Sequence, residues 1–153
     1  MFLITICAVV AVVGLIFAVV ELKRSKEKRE LEGHIIEPEA LYTLLSSNQN
    51  VLVVDVRQPL DLLANSEIIP GAKRIPPKEM ISNPLLLSNE VETVVYCTCN
   101  SEKTSRDILR RALALGFSKV KLLRGGLAAW KEKGYTVVPY AEPFHLDTAG
   151  GRG

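Results

Sequence analysis

An α/β domain with a mainly parallel central sheet flanked by helices, preceded by one N-terminal transmembrane helix, is the architecture this sequence predicts. Three observations lead to it. Phe2 to Val20 contains no charge; short apolar runs starting at Val51, Val91 and Lys119 each precede a segment of helical character; and the 153 residues leave room for one core plus an appendage. Strand alternating with helix in this order favours parallel pairing, because a crossover between parallel strands needs a helix-length connection.

The apolar run comes first. At about 1.5 Å rise per residue it spans roughly 28 Å, close to the hydrocarbon thickness of a bilayer. Every face of it is apolar, unlike the one-sided stripe of a core helix. No basic stretch precedes it and no small-x-small cleavage site follows it, which sets it apart from a secretory signal. Lys23, Arg24, Lys26, Lys28 and Arg29 come directly after, so the positive-inside rule puts the remainder on the cytoplasmic side of a single-pass membrane protein. The expected divisions are a transmembrane anchor at 1–21, a charged juxtamembrane linker at 22–35, an α/β domain at 36–138 and a disordered tail at 139–153.

Within the domain, Pro38 to about Ser46 reads as a helix, with Pro at an early position and Ala40, Leu41, Leu44 and Leu45 at helical spacing. Val51 to Val56 is β-branched and apolar on both faces, as a strand inside a parallel sheet must be. Pro59 to Ala64 forms a helical turn, Pro70-Gly71 a loop, and a short strand lies near Ala72 to Ile75. Pro76-Pro77 opens a helix toward Leu87. Val91 to Cys97 is the second strong strand. An amphipathic helix from about Thr104 to Leu115 follows, with Ile108, Leu109, Ala112 and Leu113 on one face and Arg106, Asp107, Arg110 and Arg111 on the other. Gly116 suits the C′ position, with Phe117 completing a Schellman cap. Lys119 to Leu123 is the third strand, and Arg124-Gly125-Gly126 turns it into a short helix, Leu127 to Lys133, closed by Gly134.

A net charge of +2 gives no support for nucleic-acid binding. The charge is uneven, however: seven basic residues fall between Lys103 and Arg124 against the single acid Asp107, a stretch suited to small anions. The cysteines, Cys7, Cys97 and Cys99, are odd in number and fit no disulfide framework, which agrees with a reducing compartment. Cys7 lies inside the anchor, and His34 and His145 fall in linker and tail. A Cys97-x-Cys99 zinc half-site would need a second pair that the sequence lacks.

Cys97 ends a strand and stands just before a helix, the place where open parallel sheets bind ligands. Thr98, Cys99, Asn100, Ser101, Glu102, Lys103 and Thr104 come next. Their backbone N–H groups can curl around an anion while the helix dipole adds positive potential, and the same field favours a thiolate over a thiol. Nucleophile and anion cradle therefore coincide. Asp55 and Arg57, at the end of the first strong strand, are support residues that orient this loop.

Tyr96-Cys97, a polar loop, Lys103-Thr104, Gly116-Phe117, Val120, Leu123, Gly125-Gly126 and Ala129-Trp130 together resemble the C-terminal signature of rhodanese domains. Asp55-Val56-Arg57 and Ile69-Pro70-Gly71-Ala72 are similar to two motifs of the family's N-terminal half, so the resemblance covers roughly 36 to 138. It implies a rhodanese-like fold and sulfur transfer. A Cys97 thiolate would take sulfane sulfur from a donor such as thiosulfate and pass it, through a persulfide, to a thiol or protein acceptor. Neither a metal nor an organic cofactor is implied.

The sequence departs from the family pattern at three points. The basic residue Lys103 comes one position later than usual and the loop glycine is absent; Ile68 stands where many members carry His; and Cys99 follows two residues after Cys97. A loop of this length resembles the C-x5-R cradle of rhodanese-fold phosphatases and arsenate reductases, but Lys replaces their Arg and lacks its bidentate fork. Such an enzyme, or a non-catalytic rhodanese-like binding module, is the alternative reading.

Overall fold

The computed structural model describes residues 2–87, 89–98 and 103–143, apart from the side chains of 2–11, Pro84 and Lys103. By internal contacts the chain divides into two units, Met1–Gly33 and His34–Gly153. The first unit is carried by helix α1, Phe2–Glu32, where the apolar run passes without a proline into the helix-favouring ELKRSKEKRELE. Among the described residues no helix is long and apolar enough to cross a membrane. Described side chains begin at Val12, leaving only Val12 to Val20 apolar before Glu21, and the first half of the expected anchor lies outside them. The described residues therefore do not support the transmembrane helix expected at 1–21. Residues of the expected linker continue the helix as far as Glu32.

In the second unit the elements follow as β1 (Ile35–Ile36), α2 (Pro38–Ser46), β2 (Val51–Asp55), α3 (Pro59–Ala64), β3 (Glu67–Ile68), β4 (Lys73–Arg74), α4 (Pro77–Ser82), β5 (Glu92–Tyr96), α5 (Lys103–Ala114), β6 (Val120–Leu123), α6 (Gly126–Glu132) and β7 (Val138–Pro139). Five strands form one sheet in the order β1-β6-β5-β2-β4, and every pairing in it is parallel. The register sets Val53 beside Val94 and Asp55 beside both Tyr96 and Arg74.

The period-2 geometry of the strands sorts their side chains onto two covered faces. On one, Val53, Val94 and Tyr96 join Leu41 of α2 and Leu127 and Trp130 of α6 in a single core cluster. On the other, Val54, Val95 and Leu122 are fully buried, α5 packs on β5 and β6, and α4 packs on α5. Of the stripe that the sequence marks out on α5, Ile108, Leu109 and Ala112 are buried and Leu113 is half-buried. That helix ends as a Schellman motif: Gly116 has φ +86°, the Phe117 N–H reaches the Ala112 carbonyl at 3.0 Å, and the Gly116 N–H reaches Leu113 at 3.0 Å.

One helix is shorter than the sequence predicts. The segment opened by Pro76-Pro77 stops at Ser82, and a 3₁₀ turn, Pro84–Leu86, follows. The cause is Pro84, which pushes the preceding Asn83 out of the helical region, to φ −130° and ψ 76°. The start of the expected tail is also held in place. Pro139 pairs with Glu67 across the antiparallel β3-β7 ribbon, and the Tyr140 N–H reaches the Ser66 carbonyl at 2.7 Å. Residues 144–153, with His145, lie outside the described residues. His34 is not confined to a linker: its Nδ1 lies 3.0 Å from the Val120 carbonyl, beside the β1-β6 pairing.

Candidate active site

Cys97 is the first residue beyond β5, a buried thiol with 3% of its surface exposed. Its backbone is clamped from the neighbouring strand. Arg124-Gly125-Gly126 turns sharply after β6, both glycines in the left-handed region at φ +68° and +57°, and the Leu127 N–H of α6 then donates to the Cys97 carbonyl at 2.9 Å. Gly126 itself passes so close that a Cβ placed there would lie 2.0 Å from the Cys97 carbonyl oxygen. The sequence marks Gly125-Gly126 as a turn; their second task, holding the cysteine's backbone, depends on β6 lying beside β5.

Gly126→Ala is expected to move the Cys97 backbone and to strain α6. Left-handed backbone on a non-glycine residue costs about 1–3 kcal/mol before the clash is counted. Thermal unfolding of the variant measures the loss, and a change in the alkylation rate of Cys97 reports the displacement.

Of the loop residues, Thr98 is half-buried and its Oγ1, shielded from solvent, has no hydrogen-bond partner among the described residues. Cys99, Asn100, Ser101 and Glu102 lie outside the described residues, as does the side chain of Lys103. Lys103 begins α5, and Thr104 is half-buried in its first turn. Ser105, also in that first turn, is fully buried, and its Oγ has no hydrogen-bond partner among the described residues. The broader basic run is partly committed to other contacts. Arg110 pairs with Asp107 at 3.0 Å, Lys121 with Glu92 at 3.0 Å, and the Lys119 ammonium with the Glu90 carbonyl at 2.9 Å.

Asp55 and Arg57 form an ion pair with both side chains fully buried. Arg57 Nε donates to both Asp55 oxygens at 3.0 and 2.9 Å, and its Nη2 donates to Oδ2 at 2.6 Å. The rest of the guanidinium reaches outward, Nη1 to the Asn65 carbonyl at 2.7 Å and Nη2 to the Glu67 carbonyl at 2.8 Å. Tyr96, the neighbour of Cys97, donates its hydroxyl to Asp55 Oδ2 at 3.2 Å and accepts the Ile69 N–H at 3.2 Å. One network thus joins the ends of β5 and β2 to the loop around β3. This is scaffolding for the end of the sheet where Cys97 stands.

Burial first, and the Asp55 carboxylate second, push the Tyr96 phenol well above its ordinary value of 10.0. A group whose folded-state value is raised contributes stability that is complete below the unfolded value and is lost as pH rises. Stability is therefore expected to fall as pH climbs beyond about 10. Tyr96→Phe should flatten that alkaline slope while lowering stability at neutral pH by about 1–3 kcal/mol, since it strands the Ile69 N–H. Denaturant titrations at several pH values check both effects.

Cys97 thus stands at the carboxyl end of a central parallel strand and ahead of a helix, the position at which open α/β sheets bind ligands. The chain belongs to the rhodanese-like domain family, whose profile matches residues 37–133. It is 28% identical over 103 residues to a protein named sulfurtransferase from Allochromatium vinosum, a match covering 67% of this chain and 92% of that one. It is also 32% identical over 103 residues to an uncharacterized protein from Synechocystis, covering 67% of this chain but only 55% of that relative. A full-length protein from Lactobacillus plantarum shares the fold, with a TM-score of 0.65 at 21% identity over 78% of this chain and 98% of that one. The chain is thus a rhodanese-like domain with distant sulfurtransferase homologues. Among the described residues, no group of three or more His, Cys, Asp or Glu is placed to hold a metal.

Proposed function

We propose that the protein is a membrane-tethered sulfurtransferase or persulfide carrier with Cys97 as its nucleophile. The observation that carries this reading is the position of Cys97, buried at the end of β5 with its carbonyl held by the Leu127 N–H, immediately before the loop that leads to α5. The Cys97 thiolate attacks the outer sulfur of thiosulfate. A sulfur–sulfur bond forms at Cys97 as the donor's own sulfur–sulfur bond breaks, and sulfite leaves with the electron pair. An acceptor thiolate then attacks the outer persulfide sulfur and Cys97 departs as thiolate, so each displacement is balanced and the enzyme returns to its starting state. Backbone N–H groups of the 98–104 loop and the N-terminus of α5 favour the bound anion and the persulfide.

The tether rests on the uncharged run Phe2 to Val20 and on the basic residues that follow it, which favour a cytoplasmic, reduced location for the domain. Its test is retention of the protein in membranes washed with carbonate; release into the wash removes the tether from the proposal. For the chemistry, the full chain is treated with thiosulfate and other sulfane donors and weighed intact. One added sulfur that a thiol then removes is the expected result. No adduct with any donor would leave a binding module, and release of phosphate from an aryl phosphate would favour the longer-loop phosphatase.

A further inference from the structure

Arg124 is the first residue beyond β6, and the register of the sheet carries it to the nucleophile. Val95 pairs with Leu122 across β5 and β6, so two further places along both chains set Arg124 beside Cys97. One strand spacing, about 4.8 Å, separates such neighbours. On the other side Ile36 pairs with Leu123, which sets Glu37 beside Arg124, and the Arg124 N–H still donates to the Ile36 carbonyl at 2.9 Å. The turn that follows agrees with this closeness, since Gly126 lies against the Cys97 backbone.

Side-chain direction brings the same residues together. Ile36, Tyr96 and Leu123 all enter the core cluster on one face of the sheet. The strand period of two then sends Glu37, Cys97 and Arg124 out on the opposite face. Arg124 and Glu37 do meet there, in an ion pair whose side chains are 46% and 54% exposed. A pair so open to water is worth about 0–1 kcal/mol. It adds little to the ladder that already joins β1 to β6, and an incoming anion can displace the carboxylate at small cost. The guanidinium is also suited to the task, because its planar fork offers parallel N–H donors to an oxyanion. Lys119 and Lys121 cannot take this part: they reach Glu90 and Glu92 at the start of β5, the far end of that strand from Cys97.

We propose that Arg124 selects the sulfur donor by its charge, taking the oxyanion end of a donor such as thiosulfate while the outer sulfur meets Cys97, and that Glu37 competes for the same guanidinium. This rests on the reading of Cys97 as the sulfur-accepting nucleophile. Donors whose sulfane sulfur is attached to an oxyanion are favoured over donors without one.

The test compares alkylation of Cys97 in the full chain by iodoacetate, an anion, and by iodoacetamide, its uncharged counterpart, each followed by peptide mass. Both react with the same thiolate, so the ratio of their rates cancels any change in thiol ionisation and reads the charge that meets the reagent. Arg124→Gln is expected to lower the iodoacetate-to-iodoacetamide ratio about tenfold, Arg124→Lys to keep most of it, and Glu37→Gln to raise it about twofold. In turnover, Arg124→Gln should raise the KM for thiosulfate about tenfold with kcat nearly unchanged, and should leave transfer from an alkyl persulfide, which lacks an oxyanion, as it was. An unchanged ratio in both Arg124→Gln and Glu37→Gln, with a normal sulfur adduct at Cys97, overturns the role of Arg124 and leaves sulfur transfer standing. A lowered ratio with no sulfur adduct from any donor overturns the assignment of the anion as a sulfur donor, together with the function on which it rests. A ratio that falls in Lys103→Gln but not in Arg124→Gln gives the selection to the loop lysine instead. Should Arg124→Gln fail to fold, Glu37→Gln still decides: a ratio that does not rise refutes the competition for Arg124.

Discussion

Cys97→Ser is expected to abolish the sulfur adduct and to lower thiosulfate turnover by at least about 10³-fold, the scale on which removal of a covalent nucleophile acts. Serine keeps nearly the same shape in a buried position, so the Leu127 N–H bond to the residue 97 carbonyl and the fold around it should survive. What is lost is a soft, ionisable atom able to form a sulfur–sulfur bond. Intact mass after donor treatment reads the adduct, sulfite release reads the turnover, and an unchanged thermal midpoint shows that the loss is chemical. Cys99→Ser is the discriminating control. An adduct retained in that variant assigns the nucleophile to Cys97; an adduct lost there alone moves it to Cys99. An adduct of normal yield in Cys97→Ser would end the proposal.

The second large effect is on stability. Arg57→Met should destabilise the domain by about 3–5 kcal/mol, because it leaves the Asp55 carboxylate buried without its cation. The Asn65 and Glu67 carbonyls lose their donors at the same time. Against a typical total of about 5–15 kcal/mol, such a loss takes a sizeable share of the folded population. Asp55→Asn should be costly as well, since Arg57 would keep its charge in a fully buried position. The double variant, Asp55→Asn with Arg57→Met, should cost clearly less than the sum of the two singles, because neither partner is then left as an isolated charge. Urea unfolding of the full-length chain measures all three. A strictly additive double variant would show that the pair is not energetically coupled and that each residue acts through its other contacts.

Much of the fold was legible because its signals are local. The β-branched run at Val51, the helical stripe of Ile108, Leu109 and Ala112, and the Gly116-Phe117 cap each occupy a short window in which period or turn chemistry can be read. Two-residue strands such as β1, β3 and β7 have no such window. Ile35-Ile36 is a strand because Leu122 and Leu123 lie beside it, and Val138-Pro139 because Glu67 and Ile68 do. Pro84 was visible in the sequence, but its truncation of α4 competed with the apolar residues running on to Leu87, and the backbone restriction before proline prevailed.

The candidate site divides in the same way. Sequence alone determined that Cys97 ends a strand and precedes a helix, because strand pattern, polar loop and helix start lie within one short stretch. The expected support of the loop after Cys97 by Asp55 and Arg57 is a different matter: their described contacts are with each other, with Tyr96 and with the Asn65 and Glu67 carbonyls. Only the tertiary structure decided that Gly126 lies against the Cys97 carbonyl, that Tyr96 ties the strand to Asp55 and Ile69, and that Arg124 shares a row with Cys97 and an ion pair with Glu37. The physical reason is that backbone propensity and hydrophobic period act over a few residues, whereas close approach, buried hydrogen bonding and the placement of charge depend on which distant strands the sheet brings together.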